Sequence, residues 1–328
     1  MNRETFLVIG SNSFSGSNFI NFLLNQNMKV IGISRRNEKK TLNPYKYNKN
    51  VKHFKFYKLD INKHTSSIIK IIKKFRPKYI INFAAQGMVN ESWNNPEHWY
   101  QTNLVSTTVL VQKLVRFSFI KLFLNFSTPE VYGNIKNLTK EKNNFSPSTP
   151  YAISRAAFDT HLINLYKFYK FPVIITRTSN VFGPYQDLYR VVPKTILSIL
   201  KKKKVQIHGR GETLRSFILI NDVSKALFKI IKNGKIGESY HISTKEFVTI
   251  KQLCKLIVKK VKIKSSYLYT KDRIGKDFAY KLDSTKLNSN LNWKPEFDLS
   301  GSLDLTIDWY LKNFDKLKSK KLIYEHKK

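Results

Sequence analysis

Short apolar runs alternate with longer amphipathic stretches through the first half of the chain. Continuous runs rich in Val, Ile and Phe are typical of buried strands, and apolar residues that recur every three or four positions are typical of helices. We predict strands at residues 6–10, 29–34, 53–61, 78–85, 120–127 and 172–184, and helices at 18–27, 66–75, 99–117 and 151–169. This alternation predicts an α/β protein with a doubly wound parallel sheet of right-handed βαβ units.

The pattern changes after Pro184, where helical stretches mix with short strands. We predict a helix at residues 191–204 and strands at 205–209, 215–220 and 238–243. We therefore expect a dinucleotide-binding Rossmann domain at residues 1–178, with a returning segment near 217–240. Residues 179–328 are expected to form mainly a smaller α/β substrate-binding part over the open edge of the sheet.

Charge is the most unusual bulk property, because the 328 residues carry a formal net charge of +37. The lysines are spread along the whole chain, which favours biased codon usage over a nucleic-acid site. We find no zinc-ligand spacing, basic zipper or aromatic RNA-binding motif. We therefore expect no metal site and no specific nucleic-acid partner. The alternative interpretation, a protein that binds anions or RNA, rests on charge alone.

Several features predict a cytoplasmic protein without a membrane segment. Cys254 is the single cysteine, which excludes a disulfide within the chain and fits a reducing compartment. The first residues lack the pattern of a signal peptide. The longest apolar stretch, residues 115–126, is too short to span a bilayer and is interrupted by Arg116 and Lys121.

The first predicted strand ends in a glycine turn that leads directly into a helix. Gly10, Ser13, Phe14 and Gly16 occupy this turn. Glycines there allow a tight bend, and the free N–H groups of the helix start can face a pyrophosphate. Taken alone, the pattern also fits an ordinary strand-to-helix turn.

The second predicted strand ends in Ser34, Arg35 and Arg36, where an acidic residue would hold the ribose hydroxyls of NAD. A serine followed by arginines suits the 2′-phosphate of NADP, so we favour NADP over NAD. The other interpretation is a pair of exposed arginines in a basic protein. Further predicted cofactor contacts follow the third and fourth strands, at Asp60, Ile61, Ala84 and Ala85.

Two motifs carry candidate catalytic side chains. Thr128, Pro129 and Glu130 follow the fifth strand, and Tyr151 precedes Arg155 by four residues at the start of a helix. With these motifs the chain resembles the extended short-chain dehydrogenases, and among them the nucleotide-sugar 4,6-dehydratases, of which the dTDP-glucose 4,6-dehydratases are the most similar. The resemblance spans nearly the whole chain, and its further motifs lie at residues 82–86, 100–103, 179–184, 209–222, 272–283 and 291–295.

The resemblance implies that Tyr151 takes the proton from the 4-hydroxyl of the sugar. Relatives carry a lysine four residues further on, where this chain has Arg155. A spacing of four places both side chains on one helix face, and arginine keeps a positive charge beside the phenol, which favours its phenolate. Arginine cannot release a proton, so a relay that depends on lysine is in doubt.

The resemblance also implies that Glu130 removes the C5 proton and promotes loss of the C6 hydroxyl. Pro129 stands where the dTDP-glucose group has an aspartic acid that protonates the leaving water, so Glu130 is expected to serve both roles. The resemblance further implies contacts with the nucleotide-sugar at Gln86, Asn180, Lys194, Arg215 and Arg273. An exposed loop carboxylate is the alternative interpretation of Glu130.

The expected activity is conversion of an NDP-hexose to an NDP-4-keto-6-deoxyhexose through transient oxidation at C4 by bound NAD(P). A 4-epimerase or 4-keto reductase of the same family is one alternative. A second alternative is a related protein that binds a nucleotide-sugar without turnover. The departures from the family pattern at Ser13, Pro129 and Arg155 support this alternative. The resemblance implies a homodimer formed through the helices that contain residues 100–115 and 151–169.

Overall fold

The computed structural model describes residues 3–39, 41–272, 275 and 277–326, and contains fifteen strands in those ranges. The strands are β1 Thr5–Ile9, β2 Lys29–Ser34, β3 Phe54–Lys58, β4 Tyr79–Asn82, β5 Leu122–Ser127, β6 Ile135–Thr139, β7 Val173–Thr178, β8 Asn180–Phe182, β9 Val205–His208, β10 Leu214–Arg215, β11 Phe217–Leu219, β12 Ser239–Ile242, β13 Val248–Thr249, β14 Tyr267–Thr270 and β15 Tyr280–Leu282.

The helices lie mainly between the strands of the first half and dominate the second half. They are α1 Phe14–Asn25, α2 Thr65–Phe75, α3 Pro96–Tyr100, α4 Thr107–Leu114, α5 Pro150–Tyr169, α6 Val191–Leu200, α7 Ile220–Asn233, α8 Ile250–Val261, α9 Thr285–Leu291, α10 Leu299–Lys312 and α11 Phe314–Leu317. A π-helical turn at Gln101–Ser106 joins α3 to α4, and a 3-10 turn at Pro129–Tyr132 follows β5. Within the described ranges, no helix is both long and apolar enough to cross a membrane.

Seven strands form one parallel sheet in the order β12-β7-β5-β4-β1-β2-β3. Successive side chains of a strand point to opposite faces, and both faces of this sheet are covered. In β1, Phe6 and Val8 join an apolar cluster with α1 and α7, whereas Leu7 and Ile9 join a second cluster with α2, α4 and α5. The predicted doubly wound α/β fold is confirmed.

The smaller part has its own apolar cluster, built from α6, α8, α10 and β9. Cys254 lies fully buried in this cluster. The chain also returns to the main sheet after β11, because α7 packs on the face of the sheet that carries α1, and β12 pairs with β7. The smaller part is therefore tied to the sheet by a covered helix and an added strand.

Several predicted boundaries were wrong. The strand predicted at 172–184 breaks at Ser179, since β8 leaves the main sheet to pair with β11. The strand predicted at 215–220 ends at Leu219, and Ile220 begins α7. The helix predicted at 99–117 begins at Pro96, a residue suited to a first helical position, and α4 ends at Leu114. The helix predicted at 18–27 begins at Phe14.

Candidate active site

The predicted site residues follow the carboxyl ends of neighbouring parallel strands. Gly10 follows β1, Arg35 follows β2, Asp60 follows β3, Ala84 follows β4 and Thr128 follows β5. The ends of parallel strands meet at one edge of a sheet, and ligands of doubly wound proteins bind in the crevice at that edge. Phe14, Ser34, Ala84 and Asp60 are half-buried there, Ile61 is buried, and Ala85 is exposed.

The glycine turn has a geometry that larger residues would disrupt. Gly10 has a φ of +85°, and a Cβ atom there would lie 2.6 Å from the backbone nitrogen of Ala84. A Cβ atom on Gly16 would lie 2.4 Å from the carbonyl oxygen of Gly10. Ser13, by contrast, has an extended backbone with a φ of −68°, so this position does not require glycine. Its hydroxyl accepts a hydrogen bond from Gly16 N at 3.0 Å and caps α1.

The edge of the sheet also carries buried polar groups that fit a polar ligand. In the described part of the chain, Ser11 Oγ, Arg155 Nε, Thr178 Oγ1 and Ser179 Oγ are buried and have no hydrogen-bond partner. Buried polar groups are normally paired, so these four unpaired groups are informative. Together with the open helix start after Gly10, this donor set fits a dinucleotide with its phosphates and ribose hydroxyls. The described residues include no group of three or more His, Cys, Asp or Glu that could hold a metal ion.

Arg35 and Arg36 differ in their surroundings. The Arg35 guanidinium is half-buried and donates from Nη2 to Gln86 Oε1 at 3.0 Å, while Arg36 is exposed. Burial lowers the pKa of Arg35, and the neighbouring charge of Arg36 lowers it further. Burial raises the pKa of Tyr45, and the charge of Glu38, a nearby acid after β2, raises it further. Arg35 therefore places a cation beside Gln86, close to the end of β2.

Asn103 links the cofactor side of the site to the helix that carries Tyr151. It is fully buried in the π-helical turn, where its Oδ1 accepts from Gln86 N at 2.7 Å. Its Nδ2 donates to Gln86 O and to Ser154 Oγ, both at 3.0 Å, and the Ser154 hydroxyl donates to Tyr151 O at 2.7 Å. Single π-helical turns occur frequently at functional sites. We did not assign Asn103 a role from the sequence, although the motif at residues 100–103 contains it.

The candidate catalytic side chains meet at the end of β5. The Thr128 side chain lies close enough to the Tyr151 phenol to lower its pKa, and its hydroxyl accepts from Glu130 N at 3.4 Å. Pro129 occupies the first position of the 3-10 turn, where no N–H donor is needed. Arg155 is buried on α5 and donates from Nη2 to Phe126 O at 2.5 Å. Thr128, Glu130, Tyr151 and Arg155 thus surround one point of the crevice.

The pKa of Tyr151 is raised, contrary to the expectation that Arg155 would favour the phenolate. Burial is the largest cause, and the negative charge of Glu130 raises the pKa further. Arg155, Thr128 and Arg190 act in the opposite direction without outweighing burial. Burial disfavours the charged form of a phenol. The surrounding protein groups alone therefore do not lower the pKa of Tyr151.

Glu130 is half-buried, and burial raises the pKa of its carboxyl group. The charge of Asp277 raises this pKa further, whereas Arg215 and Arg190 lower it. A carboxyl group whose pKa moves toward neutrality exchanges protons more readily at physiological pH. This environment suits a residue that takes a proton and gives one back.

The residues predicted to contact the substrate differ from one another in burial and in hydrogen-bond partners. Arg215 is buried and stacks on the Tyr280 ring at 4.1 Å, and its nitrogens donate to the carbonyl groups of Leu214, Asp277 and Phe278. Lys194 Nζ donates to Gln206 Oε1 at 2.7 Å. Gln86 is buried against Asn103, and Asn180 is exposed at the start of β8. Arg273 lies outside the described residues.

Sequence reasoning missed Arg190 and the C-terminal segment. Arg190 precedes α6, and its charge lowers the pKa values of both Glu130 and Tyr151. After α11 the chain turns back toward the cofactor side, where His326 stacks on Trp99 at 5.0 Å and its Nε2 lies 2.9 Å from Nδ1 of His98. The lysine-rich sequence that precedes His326 carries no signal of these contacts.

The fold and this group of residues define a dinucleotide-dependent enzyme of the extended Rossmann type. A family model described as GDP-mannose 4,6 dehydratase matches residues 7–304, and the chain belongs to this family. The dTDP-D-glucose 4,6-dehydratase of Homo sapiens is 32% identical over 326 residues, which cover 95% of this chain and 91% of that protein.

Two solved structures are similar over nearly the whole chain. A UDP-glucose 4-epimerase from Thermotoga maritima with UDP-glucose is 28% identical, with a TM-score of 0.87 over 94% of this chain and 99% of that one. A dTDP-glucose 4,6-dehydratase from Bacillus anthracis in complex with NAD is also 28% identical, with a TM-score of 0.85 over 95% of this chain and 98% of that one. These similarities confirm the predicted epimerase/dehydratase family.

Proposed function

We propose that the protein is an NAD(P)-dependent nucleotide-sugar 4,6-dehydratase that converts an NDP-hexose to an NDP-4-keto-6-deoxyhexose. The observation that carries the proposal is the Glu130 carboxyl group, which stands beside Tyr151 and Thr128 at the end of β5. Removal of a C5 proton requires a base at such a place, whereas plain epimerisation at C4 does not. Relatives named as dTDP-glucose 4,6-dehydratases support the same reaction class.

The residues that would hold the dinucleotide are those of the glycine turn and of the neighbouring strand ends. They are Gly10, Ser13, Phe14, Gly16, Ser34, Arg35, Asp60, Ile61, Ala84, Ala85, Tyr151 and Arg155. When bound, the nicotinamide supplies reversible oxidation of the sugar. Tyr151 takes the proton of the 4-hydroxyl, and Arg155 and Thr128 stabilise the negative charge that develops on the phenol.

The 4-ketone makes the C5 proton acidic, and Glu130 removes it. The electron pair left at C5 forms the C5–C6 double bond as the C6–oxygen bond breaks, and Glu130 returns its proton to the leaving oxygen, so that water departs. Return to C6 of the hydride taken from C4, and entry of a proton from solvent at C5, then give the 4-keto-6-deoxyhexose and restore the oxidised cofactor. Both transfers need a carboxyl group whose pKa is raised, as burial provides for Glu130. Arg215 and Arg190 keep the charged form accessible, and we propose that they, together with Gln86, Asn180, Lys194 and Arg273, hold the nucleotide-sugar.

For the cofactor we propose NADP over NAD, on the support of the cations at the end of β2.

We also propose a homodimer formed through the helices of residues 100–115 and 151–169. Its support is a set of exposed apolar side chains on those helices: Val105, Val109, Ile153, Phe168 and Tyr169. A second copy of the chain is the partner that this surface fits.

We propose the cytoplasm as the location, since Cys254, the single cysteine, is buried and forms no disulfide.

Mass spectrometry of the purified protein with a panel of nucleotide-sugars tests the proposal. A product lighter by one water is expected for at least one substrate. The similarity to UDP-glucose 4-epimerase supports a second candidate function. A product of unchanged mass with inverted C4 would establish that epimerase in place of the dehydratase, and consumption of added NADPH would identify a reductase. Binding without any turnover would identify a non-catalytic relative.

A further inference from the structure

A buried ion pair lies directly beneath the catalytic residues. Arg177 on β7 and Asp159 on α5 are both fully buried, and their closest contact joins Nη2 to Oδ2 at 3.0 Å. Arg177 Nε donates to the same oxygen at 3.1 Å, and Asn125 Nδ2 donates to Asp159 Oδ1 at 3.0 Å. Burying two charges is costly, and such a pair adds little net stability compared with apolar residues of similar volume. Stability alone therefore does not explain why this ion pair is buried here.

The ion pair holds both ends of the segment that carries Thr128 and Glu130. At one end, Ser127 Oγ donates to Asp159 Oδ2 at 2.8 Å. At the other end, Arg177 Nη1 donates to the Tyr132 hydroxyl at 2.8 Å. Asp159 also lies on α5, two helical turns after Tyr151 and one after Arg155. One polar cluster thus connects the turn that bears the base to the helix that bears the phenol.

The direction of each hydrogen bond in the cluster follows from its chemistry. The Tyr132 oxygen accepts from Arg177, which can only donate, so its own proton points to His241 Nε2 at 2.9 Å. His241 Nδ1 lies 3.1 Å from Asp283 O, which can only accept, so Nδ1 carries the imidazole proton. Burial, followed by the charge of Arg177, lowers the pKa of His241 to about 3, in agreement with a neutral ring. A fully satisfied cluster of this kind specifies one geometry.

We infer that Ser127, Tyr132, Asp159 and Arg177 are positioning residues, which hold Glu130 in register with Tyr151. The inference rests on the proposed dehydration, because it concerns the placement of the base for that step. Small displacements of a reacting group are costly, with a misplacement of about 1 Å lowering a rate by about 10²-fold. Loss of an anchor should therefore slow proton removal at C5 far more than it weakens substrate binding.

The experiment uses the mild variants Ser127→Ala and Tyr132→Phe. Replacement of Asp159 or Arg177 would leave an unpaired buried charge and could unfold the chain. Ser224→Ala is the matched control, because Ser224 is also buried and its hydroxyl donates to Ile220 O at 2.9 Å on a helix outside the cluster. Each anchor variant should lower kcat and the rate of solvent deuterium exchange at C5 by about tenfold or more, with KM nearly unchanged. The control should keep the normal rates.

A second measurement remains informative whatever the reaction is. Hydrogen exchange of the backbone amides of residues 128 and 130–133 should become faster in both anchor variants and keep the rate of the unmutated protein in Ser224→Ala. Normal kcat together with unchanged exchange in the anchor variants would overturn the inference, as would equal losses in the control. An unmutated protein that dehydrates no nucleotide-sugar would refute the proposed function alone, and faster local exchange in the two variants would still support the positioning cluster.

Discussion

The two halves of the site are built by different means. On the proposed cofactor side, the backbone itself forms the surface: Gly10 and Ser13 lie in the turn between β1 and α1, and Gly16 lies in the first turn of α1. On the proposed substrate side, Arg215 and Asp277 come from segments far apart along the chain, and carbonyl groups and hydroxyls hold them in place. The first half depends on backbone conformation, and the second depends on long side chains fixed by tertiary contacts.

This difference teaches which substitutions each half tolerates. Ser13 replaces a glycine without strain, because its backbone is extended and its hydroxyl caps α1. Gly10 and Gly16 have no such freedom, because a Cβ atom at either would collide with backbone. On the substrate side, Pro129 is accommodated because it begins a 3-10 turn. The departures at Ser13 and Pro129 therefore fall at positions where local geometry permits them.

The largest expected effect belongs to Tyr151, which stands between the two halves. Tyr151→Phe removes the phenol that takes the 4-hydroxyl proton, so every later step should stop. We expect kcat to fall by about 10⁴-fold, at the upper end for loss of a general acid–base group. Tyr166→Phe, on the same helix, is the control and should retain normal turnover. A Tyr151→Phe enzyme with kcat near normal would assign proton removal to another group.

A substitution at Glu130 should affect the proposed substrate side and leave the proposed cofactor side unchanged, because only the elimination depends on Glu130. Glu130→Gln keeps the size of the side chain but removes the base. We expect formation of the lighter product and deuterium exchange at C5 to fall by about 10²–10⁴-fold, while cofactor binding measured by calorimetry stays unchanged. Glu246→Gln, an exposed substitution, should alter neither. Normal C5 exchange in Glu130→Gln would favour the epimerase.

The pH profile provides a second measurement of Glu130. A base must be ionised to act, and the pKa of Glu130 is raised by burial, so activity should rise with pH through a value above the ordinary range of a glutamate. This acidic limb of kcat/KM should be absent from the residual activity of Glu130→Gln. If kcat/KM of the variant still rises over the same pH range, the titrating group is a residue other than Glu130.

The smallest expected effect concerns the cofactor side. Arg35→Asp should shift the preference from NADP toward NAD by roughly tenfold or more, since a charge-assisted hydrogen bond to phosphate contributes about 1.5–3 kcal/mol. Calorimetry with both cofactors measures the shift. Arg116→Asp makes the same charge change at an exposed position and should leave the preference unchanged. Tighter binding of NAD than of NADP by the unmutated protein would contradict the preference.

The sequence allowed the sheet to be predicted, along with the candidate residues that follow its strands, but not the side-chain contacts. The apolar runs predicted the strands of the main sheet because both of its faces are buried. The break at Ser179 escaped prediction, since it depends on pairing between β8 and β11. Arg190 and His326 escaped for a similar reason, because their contacts join segments that no local pattern relates.

What the sequence by itself determined is the order of strands and helices, the glycine turn and the presence of Tyr151 and Glu130 after particular strands. These depend on local conformational preferences and on the burial of apolar residues, which a linear pattern records. Only the tertiary structure decided that burial would raise the pKa of Tyr151 despite Arg155, and that one ion pair would hold both ends of the catalytic turn. Desolvation and long-range hydrogen bonds depend on what surrounds a side chain in space, and neighbours along the chain do not specify those surroundings.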